Sequence, residues 1–247
     1  MQRTSLRKFL IVGTQRSGSG AFAEALNCHP AIACGAEWTQ RTWRKFSIVE
    51  AAFHGDFQLL PRHHAVDMAL RFTPEKSVLG FRRLFRASSR WIGHPRFAPA
   101  LFVDRLEAHI AWLAQHPDIH VIHLVRRDLV TWLSSKSFAR AAGYSGSYPD
   151  DLRVWISIRQ AMRRVRTKTW IDARLAAVAR SNRYLQIPYE DFLADNQQMA
   201  HRAVAFLGCD PAALPNLSLR IPQSRGSRAN VENLEELRLR LRETSRA

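Results

Sequence analysis

Short apolar runs recur along this chain and are separated by longer segments with helical spacing. Residues 8–13 form an apolar run that stops at Gly13, and residues 119–125 form a second run. Both are short and continuous, which is typical of strands buried on both faces of a parallel sheet. Residues 77–82 and 183–188 show weaker forms of the same pattern. The pattern therefore predicts four strands.

Segments with helical spacing follow these runs. Apolar positions three or four residues apart predict helices over about 20–27, 102–113, 128–140, 151–180, 191–207 and 231–242. In the longest of them, Trp155, Ile158, Met162 and Val165 are expected to form a buried stripe. Strands that alternate with helices predict a three-layer α/β/α fold around a central, mostly parallel sheet. No repeat or linker divides the chain, so we expect residues 1–247 to form one domain.

The charge balance is unusual for a chain of 247 residues with an otherwise ordinary composition. Lysine and arginine total 37 against 21 acidic residues, a formal net charge of +16, and only five of the 37 are lysine. Arginine binds phosphate and sulfate through a planar, bidentate fork, so this excess favours an anionic partner. A GC-rich genome would also produce it. The basic residues are spread along the chain without a motif for base readout, which argues against specific nucleic-acid binding.

Cysteines and apolar segments bear on the cellular setting. Three cysteines are too few for a disulfide scaffold and lack the spacing of a zinc site. No apolar run approaches the roughly 18–20 residues of a membrane span, and the basic N-terminus lacks a signal-peptide core. We therefore expect a cytoplasmic protein without a metal centre or a transmembrane segment.

The segment after the first strand has the character of a phosphate-binding loop. It reads Gly-Thr-Gln-Arg-Ser-Gly-Ser-Gly over residues 13–20 and runs into a predicted helix. Backbone N–H groups and the positive end of a helix favour an anion there. Gly13 and Gly18 have the separation of a Walker A loop, but Ser19 and Gly20 replace its lysine and its magnesium-binding hydroxyl. The loop predicts a nucleotide whose group is transferred without magnesium, with an ordinary strand–loop–helix turn as the alternative.

A second loop carries a basic residue directly after a strand. Arg126 follows residues 119–125, and Ser134 lies eight residues later, about two turns into the next helix. A third segment, Ile-Pro-Tyr-Glu-Asp-Phe-Leu, occupies residues 187–193. In this order the three segments resemble those of sulfotransferases that use 3′-phosphoadenosine 5′-phosphosulfate (PAPS). The resemblance spans about residues 8–210.

The resemblance implies a role for each loop. In the family, the first loop binds the 5′-phosphosulfate, and the arginine and serine of the second bind the 3′-phosphate, here Arg126 and Ser134. Arg16 would neutralise charge that builds on the bridging oxygen as sulfate leaves. Gly20 departs from the hydroxyl residue that the family often has, so the resemblance does not extend to the phosphate contact of that hydroxyl. The donor-binding residues expected in the first loop are Thr14, Gln15, Arg16, Ser17, Gly18, Ser19 and Gly20.

Two further assignments rest on the same likeness. Residues 27–38 resemble the "HP…E" segment of carbohydrate-type sulfotransferases, which implies that Glu37 is the general base; a solvated loop glutamate is the alternative. Another branch of the family uses histidine, but none of the ten histidines falls in a motif that selects it. Arg225 and Arg228 lie in a basic, glycine-containing segment of the kind that commonly closes over the adenosine phosphates, with a solvated loop as the alternative.

The expected activity is transfer of a sulfuryl group from PAPS to a hydroxyl of a sugar, glycolipid or other small acceptor by in-line displacement. The expected partners are PAPS, its product 3′-phosphoadenosine 5′-phosphate (PAP) and the acceptor. Two alternatives are a P-loop kinase-like phosphotransferase, which Ser19 and Gly20 disfavour, and a basic nucleic-acid-binding protein.

Overall fold

A parallel five-stranded sheet forms the centre of the computed structural model. The model describes residues 6–37, 46–54, 56–58, 60, 62–73, 75–85, 98–143, 149–217 and 230–246. The strands are β1 (Arg7–Thr14), β2 (Ile32–Glu37), β3 (Val78–Phe85), β4 (Ile119–Val125) and β5 (Tyr184–Pro188). They lie in the order β2-β3-β1-β4-β5, and every pairing is parallel.

Helices cover both faces of this sheet. They are α1 (Ser19–Asn27), α2 (Phe46–Phe53), α3 (Arg62–Arg71), α4 (Ala98–Ala114), α5 (Leu129–Ala141), α6 (Ile158–Ala176), α7 (Tyr189–Ala194), α8 (Asn196–Phe206) and α9 (Leu234–Arg246). Short 3₁₀ turns follow α6 and α8. In the part of the chain that the structure describes, no helix is both long and apolar enough to cross a bilayer.

Each face of the sheet has its own hydrophobic core, because successive side chains of a strand point to opposite sides. Phe9 and Ile11 of β1 pack with α1, α7 and α8, whereas Leu10 and Val12 pack with α5, α6 and α9. All four side chains are fully buried, and burial of one such side chain contributes about 1.5–3 kcal/mol. The predicted α/β fold is confirmed.

The long predicted helix over 151–180 is wrong at its N-terminal end. Helix α6 begins only at Ile158, and before it Val154 forms a parallel bridge with Val231. The side-chain amide of Asn233 accepts from the backbone N–H of Ile156 and donates to its carbonyl, each at 2.9 Å. These bonds satisfy an extended backbone. Trp155 is consequently 62% exposed and belongs to no buried stripe.

The predicted helix over 191–207 is two helices, since Asp195 has extended dihedrals and separates α7 from α8. Its carboxylate accepts from Gln198 N at 2.8 Å, an N-cap that begins a new helix. The sequence pattern missed β2, whose small residues lack an apolar run. It also missed α2 and α3, which lie between β2 and β3.

The strand order places two loops side by side at the carboxyl edge of the sheet. Strand β1 lies between β3 and β4, and Gly13 of β1 pairs with Leu124 of β4. The loops that follow β1 and β4 therefore meet at the point where the strand order reverses. Ligands of open α/β sheets bind at such a point.

Candidate functional site

The loop between β1 and α1 has an unusual backbone. Arg16 adopts φ 72°, and it is the one non-glycine residue with positive φ in the described part of the chain. Gly18 adopts φ 81° and precedes α1, where its carbonyl oxygen accepts from Phe22 N at 3.1 Å. The left-handed conformation costs a non-glycine residue about 1–2 kcal/mol. Such strain persists where surrounding contacts hold it, often at functional sites.

Three side chains from the second loop and from α5 hold this backbone in place. Arg126 Nη1 donates to the carbonyl oxygen of Arg16 at 3.0 Å, and Trp132 Nε1 donates to that of Gln15 at 2.9 Å. Arg16 Nε in turn donates to Ser135 Oγ at 3.0 Å. The two loops that the sequence singled out are therefore joined directly. Trp132 and Ser135 had no role in the sequence prediction.

Several buried polar atoms around the loop lack hydrogen-bond partners among the described residues. They are Thr14 Oγ1, Ser17 Oγ and Arg126 Nε. An unsatisfied buried polar group costs about 1–3 kcal/mol, so a cluster of them at one place favours a bound polar ligand there. All three atoms can donate a hydrogen bond, which suits an anion such as a phosphate or sulfate group.

Arg126 carries a buried positive charge without a carboxylate partner in the described residues. It is 6% exposed, and its Cζ lies 4.6 Å from the centroid of the Tyr189 ring. Burial lowers the pKa of this guanidinium, but arginine keeps its charge in proteins. Burial of such a charge without an anion is costly. Arg126 is therefore placed to receive an anionic group beside the loop.

The first turn of α7 fixes the loop after β4. The Glu190 carboxylate accepts from Arg127 N at 3.1 Å and from Asp128 N at 2.9 Å. The Tyr189 ring lies against Gly18 so closely that a Cβ there would overlap with it. Tyr189 and Glu190 both belong to the third segment, residues 187–193, that resembles the family. The sequence analysis assigned no role to the side chains of this segment.

Glu37 is the last residue of β2 and is half-buried at the same edge of the sheet, so it is a strand residue and not part of a loop. The Gln15 amide Nε2 donates to its Oε1 at 3.4 Å. Arg82 of β3 pairs with Glu37 in register, and its Nη1 lies 3.5 Å from the position that a Cβ at Gly20 would take. The sequence pattern missed Arg82, because the apolar run ended at this residue.

The other predicted site residues lie in the flanking helices or outside the described residues. Ser134 is buried in α5, where its hydroxyl donates to the Val130 carbonyl oxygen at 2.8 Å. Ser19 is the first residue of α1 and is also buried. Arg225 and Arg228 lie outside the described residues. Within the described ranges, no group of three His, Cys, Asp or Glu side chains could hold a metal ion.

A parallel sheet with a strand–loop–helix anion cradle at its switch point places the protein in the P-loop-like class of α/β folds. Within this class the chain belongs to the sulfotransferase family, whose model matches residues 9–212. The match covers both phosphate-type loops and the third segment. The family resemblance found in the sequence is thus confirmed.

Solved structures similar to this chain are also sulfotransferases. One from Alicyclobacillus acidocaldarius has 18% identity and a TM-score of 0.48, covering 90% of this chain and 89% of that one. STF9 from Mycobacterium avium has 14% identity and a TM-score of 0.46, covering 98% and 76%. STF1 from Mycobacterium tuberculosis H37Rv has 12% identity and a TM-score of 0.43, covering 95% and 76%. No curated protein matches the chain.

Substitution of Gly18 by alanine is expected to lower the free energy of unfolding by more than the cost of the positive φ at this position. The positive φ costs about 1–2 kcal/mol, and the new Cβ would overlap with the Tyr189 ring. Displacement of that ring would also remove the surface on which Arg126 lies. Chemical denaturation measures the loss in free energy of unfolding.

Two glycines serve as controls for this variant. Gly143 has φ 72° but no atom within 4 Å of its Cβ position, so Gly143→Ala should show the backbone cost alone. At Gly20 a Cβ would make an ordinary contact in helix α1, so Gly20→Ala should leave stability unchanged or slightly raised. Equal losses for Gly18→Ala and Gly143→Ala would contradict the contact with Tyr189.

Proposed function

We propose that the protein transfers a sulfuryl group from PAPS to a hydroxyl of a sugar, glycolipid or other small acceptor. The observation that carries this proposal is the cluster of unsatisfied donors on Thr14, Ser17 and Arg126 at the junction of the two loops. When bound, PAPS supplies the sulfuryl group: a bond forms between sulfur and the acceptor oxygen while the bond between sulfur and the bridging oxygen breaks, which releases PAP. The residues of this chain bind the donor, stabilise charge and accept the acceptor's proton.

The first loop would hold the 5′-phosphosulfate. Thr14 ends β1 and Ser19 begins α1, so the loop and its hydroxyl residues lead into the N-terminus of α1, where the helix dipole favours an anion. Arg82 lies beside Gly20, and we propose that its guanidinium supplies the contact that a hydroxyl makes in other family members.

The second loop would hold the 3′-phosphate. Arg126 is buried next to the first loop and has a free Nε among the described residues. We propose that it binds this phosphate, with Ser134 as the second contact. Arg225 and Arg228 are proposed to close over the adenosine phosphates from the C-terminal part of the chain.

Arg16 and Glu37 are the proposed catalytic residues. The contacts of Arg16 with Ser135 and Arg126 fix its position at the end of β1, where its charge can stabilise the bridging oxygen as negative charge develops. Glu37 is held by Gln15 at the same edge of the sheet. Its carboxylate would accept the proton that the acceptor hydroxyl loses.

The carbohydrate acceptor and the cellular location are separate proposals. The likeness of residues 27–38 to carbohydrate-type sulfotransferases supports a sugar hydroxyl as acceptor. Cys28, Cys34 and Cys209 are free thiols, and burial raises the pKa of the Cys34 thiol to about 12. Reduced thiols are consistent with the cytoplasm. Transfer of labelled sulfate to an acceptor panel tests the first proposal, and cell fractionation tests the second.

Binding of PAP is expected to stabilise the protein equally with and without EDTA. The first loop has Gly20 in place of the magnesium-binding hydroxyl, and Arg82 lies beside it. A thermal-shift titration with PAP should therefore give the same saturable rise in Tm in both conditions. ATP with magnesium should produce no comparable rise. A strict magnesium requirement would favour the kinase-like alternative and contradict the sulfotransferase proposal.

A further inference from the structure

A row of basic side chains lies between α5 and α6, and we call it the cationic seam. Its members are Lys136, Arg140, Arg164 and Lys168. Lys136 and Arg140 follow Trp132 at intervals of four residues on α5, and Arg164 and Lys168 have the same interval on α6, so each pair lies on one side of its helix. Lys136 Nζ lies 5.3 Å and Lys168 Nζ lies 5.8 Å from the Trp132 ring centroid. Side chains from both helices therefore converge on this ring.

One end of the seam lies next to the first loop, between β1 and α1. The same Trp132 donates its indole N–H to the Gln15 carbonyl oxygen, and Arg16 contacts Ser135 on α5. From this end, Arg164 lies one helical turn beyond Lys168 along α6, and Arg140 one turn beyond Lys136 along α5. The outer end of the seam is formed by Arg140 and Arg164.

The two ends of the seam differ in how their charges are compensated. Lys168 forms an ion pair with Asp172, whose Oδ1 also lies 3.7 Å from His123 Nε2. Arg164 is only 8% exposed, yet in the described residues it forms no ion pair and its Nε has no hydrogen-bond partner. Burial, and then the nearby charge of Arg140, lower the pKa of Arg164. Among the described residues, the outer end therefore holds an uncompensated buried guanidinium near a second cation.

A buried guanidinium close to a second cation is unfavourable unless an anion binds between them. Desolvation of a charge costs several kcal/mol when no partner offsets it, and repulsion from Arg140 adds to this cost. Two guanidinium groups present planar forks that match the oxygens of a carboxylate or sulfate. The outer end thus has the chemistry of an oxyanion site.

The geometry separates this site from the 3′-phosphate site. Ser134 follows Trp132 by two residues, which places it about 160° around α5 from the side that carries the seam. Arg126 lies over the Tyr189 ring, which itself packs against Gly18, on the α7 side of the loop. An anion at Arg164 is therefore a group other than the phosphates that Arg126 and Ser134 are proposed to hold.

We propose that Arg164, with Arg140, binds a carboxylate or sulfate group carried by the acceptor, so that the acceptor is an acidic saccharide. This inference rests on the proposed function. It names the class of acceptor for the proposed sulfuryl-transfer site. The anionic group of the sugar would lie at the outer end of the seam, and its hydroxyl would reach the first loop near Arg16.

The test compares binding of two sugars and one ion to protein saturated with PAP, at constant ionic strength. The probes are methyl β-glucuronide, methyl β-glucoside and sodium sulfate, measured by isothermal titration calorimetry. The two sugars share a ring and differ in a carboxylate against a hydroxymethyl group. We expect the glucuronide to bind at least tenfold more tightly than the glucoside. Arg164→Gln should abolish this preference and weaken sulfate binding at least tenfold.

Arg166→Gln is the matched control, because Arg166 is exposed on the same helix and its loss changes the net charge equally. It should behave as the wild type does. Arg164→Gln should also leave PAP affinity unchanged. A tenfold loss of PAP affinity would assign the anion to the nucleotide and overturn the proposal, as would equal affinity for the two sugars in the wild type. Should PAP itself not bind, the proposed function fails, and sulfate titration without PAP still tests Arg164.

A stability measurement separates ligand binding from a structural role. Arg164→Met removes the buried charge and keeps most of the apolar volume. We expect its Tm without ligand to equal or exceed that of the wild type, since an uncompensated charge is lost, while sulfate no longer raises Tm. A Tm several degrees below that of the wild type would show that Arg164 supports the fold instead.

Discussion

Replacement of Arg126 by alanine is expected to weaken PAP binding by about 2–4 kcal/mol, or about 30- to 1,000-fold in Kd. The guanidinium is buried against Tyr189 and has no carboxylate partner in the described residues. Its attraction to a phosphate is therefore little screened by water. Isothermal titration calorimetry of PAP against the two proteins measures the difference.

Two comparisons make this result specific to the 3′-phosphate. Adenosine 5′-phosphosulfate lacks that group, so its affinity should change far less in Arg126→Ala than the affinity of PAP. Arg127 is the matched control, because it is the next residue, is exposed and is bound to the Asp191 carboxylate at 2.7 Å. Arg127→Ala should leave PAP affinity close to that of the wild type. Equal losses for both nucleotides in Arg126→Ala would show that Arg126 supports the loop and not the 3′-phosphate.

Glu37→Gln is expected to lower turnover about 10²- to 10⁴-fold while nucleotide affinity stays near the wild-type value. Glutamine keeps the shape and can still accept from Gln15, but it cannot take up the acceptor proton. The loss of one negative charge near the phosphosulfate can only tighten nucleotide binding slightly. A labelled-sulfate transfer assay with an identified acceptor measures turnover, and PAP titration measures affinity.

Arg16→Ala should show the opposite pattern and lose both affinity and rate. In the proposed mechanism, the charge of Arg16 would contact the nucleotide in the ground state and in the transition state. The pair of variants therefore separates chemistry from binding. If Glu37→Gln retains near-normal turnover while a histidine variant loses it, the base is wrongly assigned and the enzyme belongs with the histidine-using branch of the family.

Local sequence predicted the elements whose signal lies within a few residues. Strand β4 was placed at its observed bounds, and β1 within one residue, because continuous apolar runs are needed by strands buried on both faces. The start of α5 was placed within one residue, since the Asp128 carboxylate accepts from Thr131 N at 3.0 Å and caps the helix that begins at Leu129. Strand β2 was missed, because its small residues carry no such local signal.

The candidate site was predictable only in part, because a sequence pattern reports only on residues that are close together along the chain. Loop residues 14–20 and Arg126 each follow a recognisable strand, so position in the sequence suffices to find them. The contact between Arg126 and Arg16 joins residues 110 apart, and that between Arg16 and Ser135 joins residues 119 apart. Arg82 reaches Gly20 from a different strand. A local sequence pattern cannot predict contacts between residues so far apart along the chain.

The sequence by itself determined the α/β fold, the family and the two loops that the family uses, because short apolar runs and glycine-rich turns act over a few residues. Only the tertiary structure decided which side chains converge on those loops and which charges have no partner within the described part of the chain. Arg164 is one of six basic residues in α6, and nothing in its neighbours along the chain marks it. Its burial and the nearby charge of Arg140 arise from the packing of α6 against the rest of the fold. An uncompensated charge depends on what surrounds it in space.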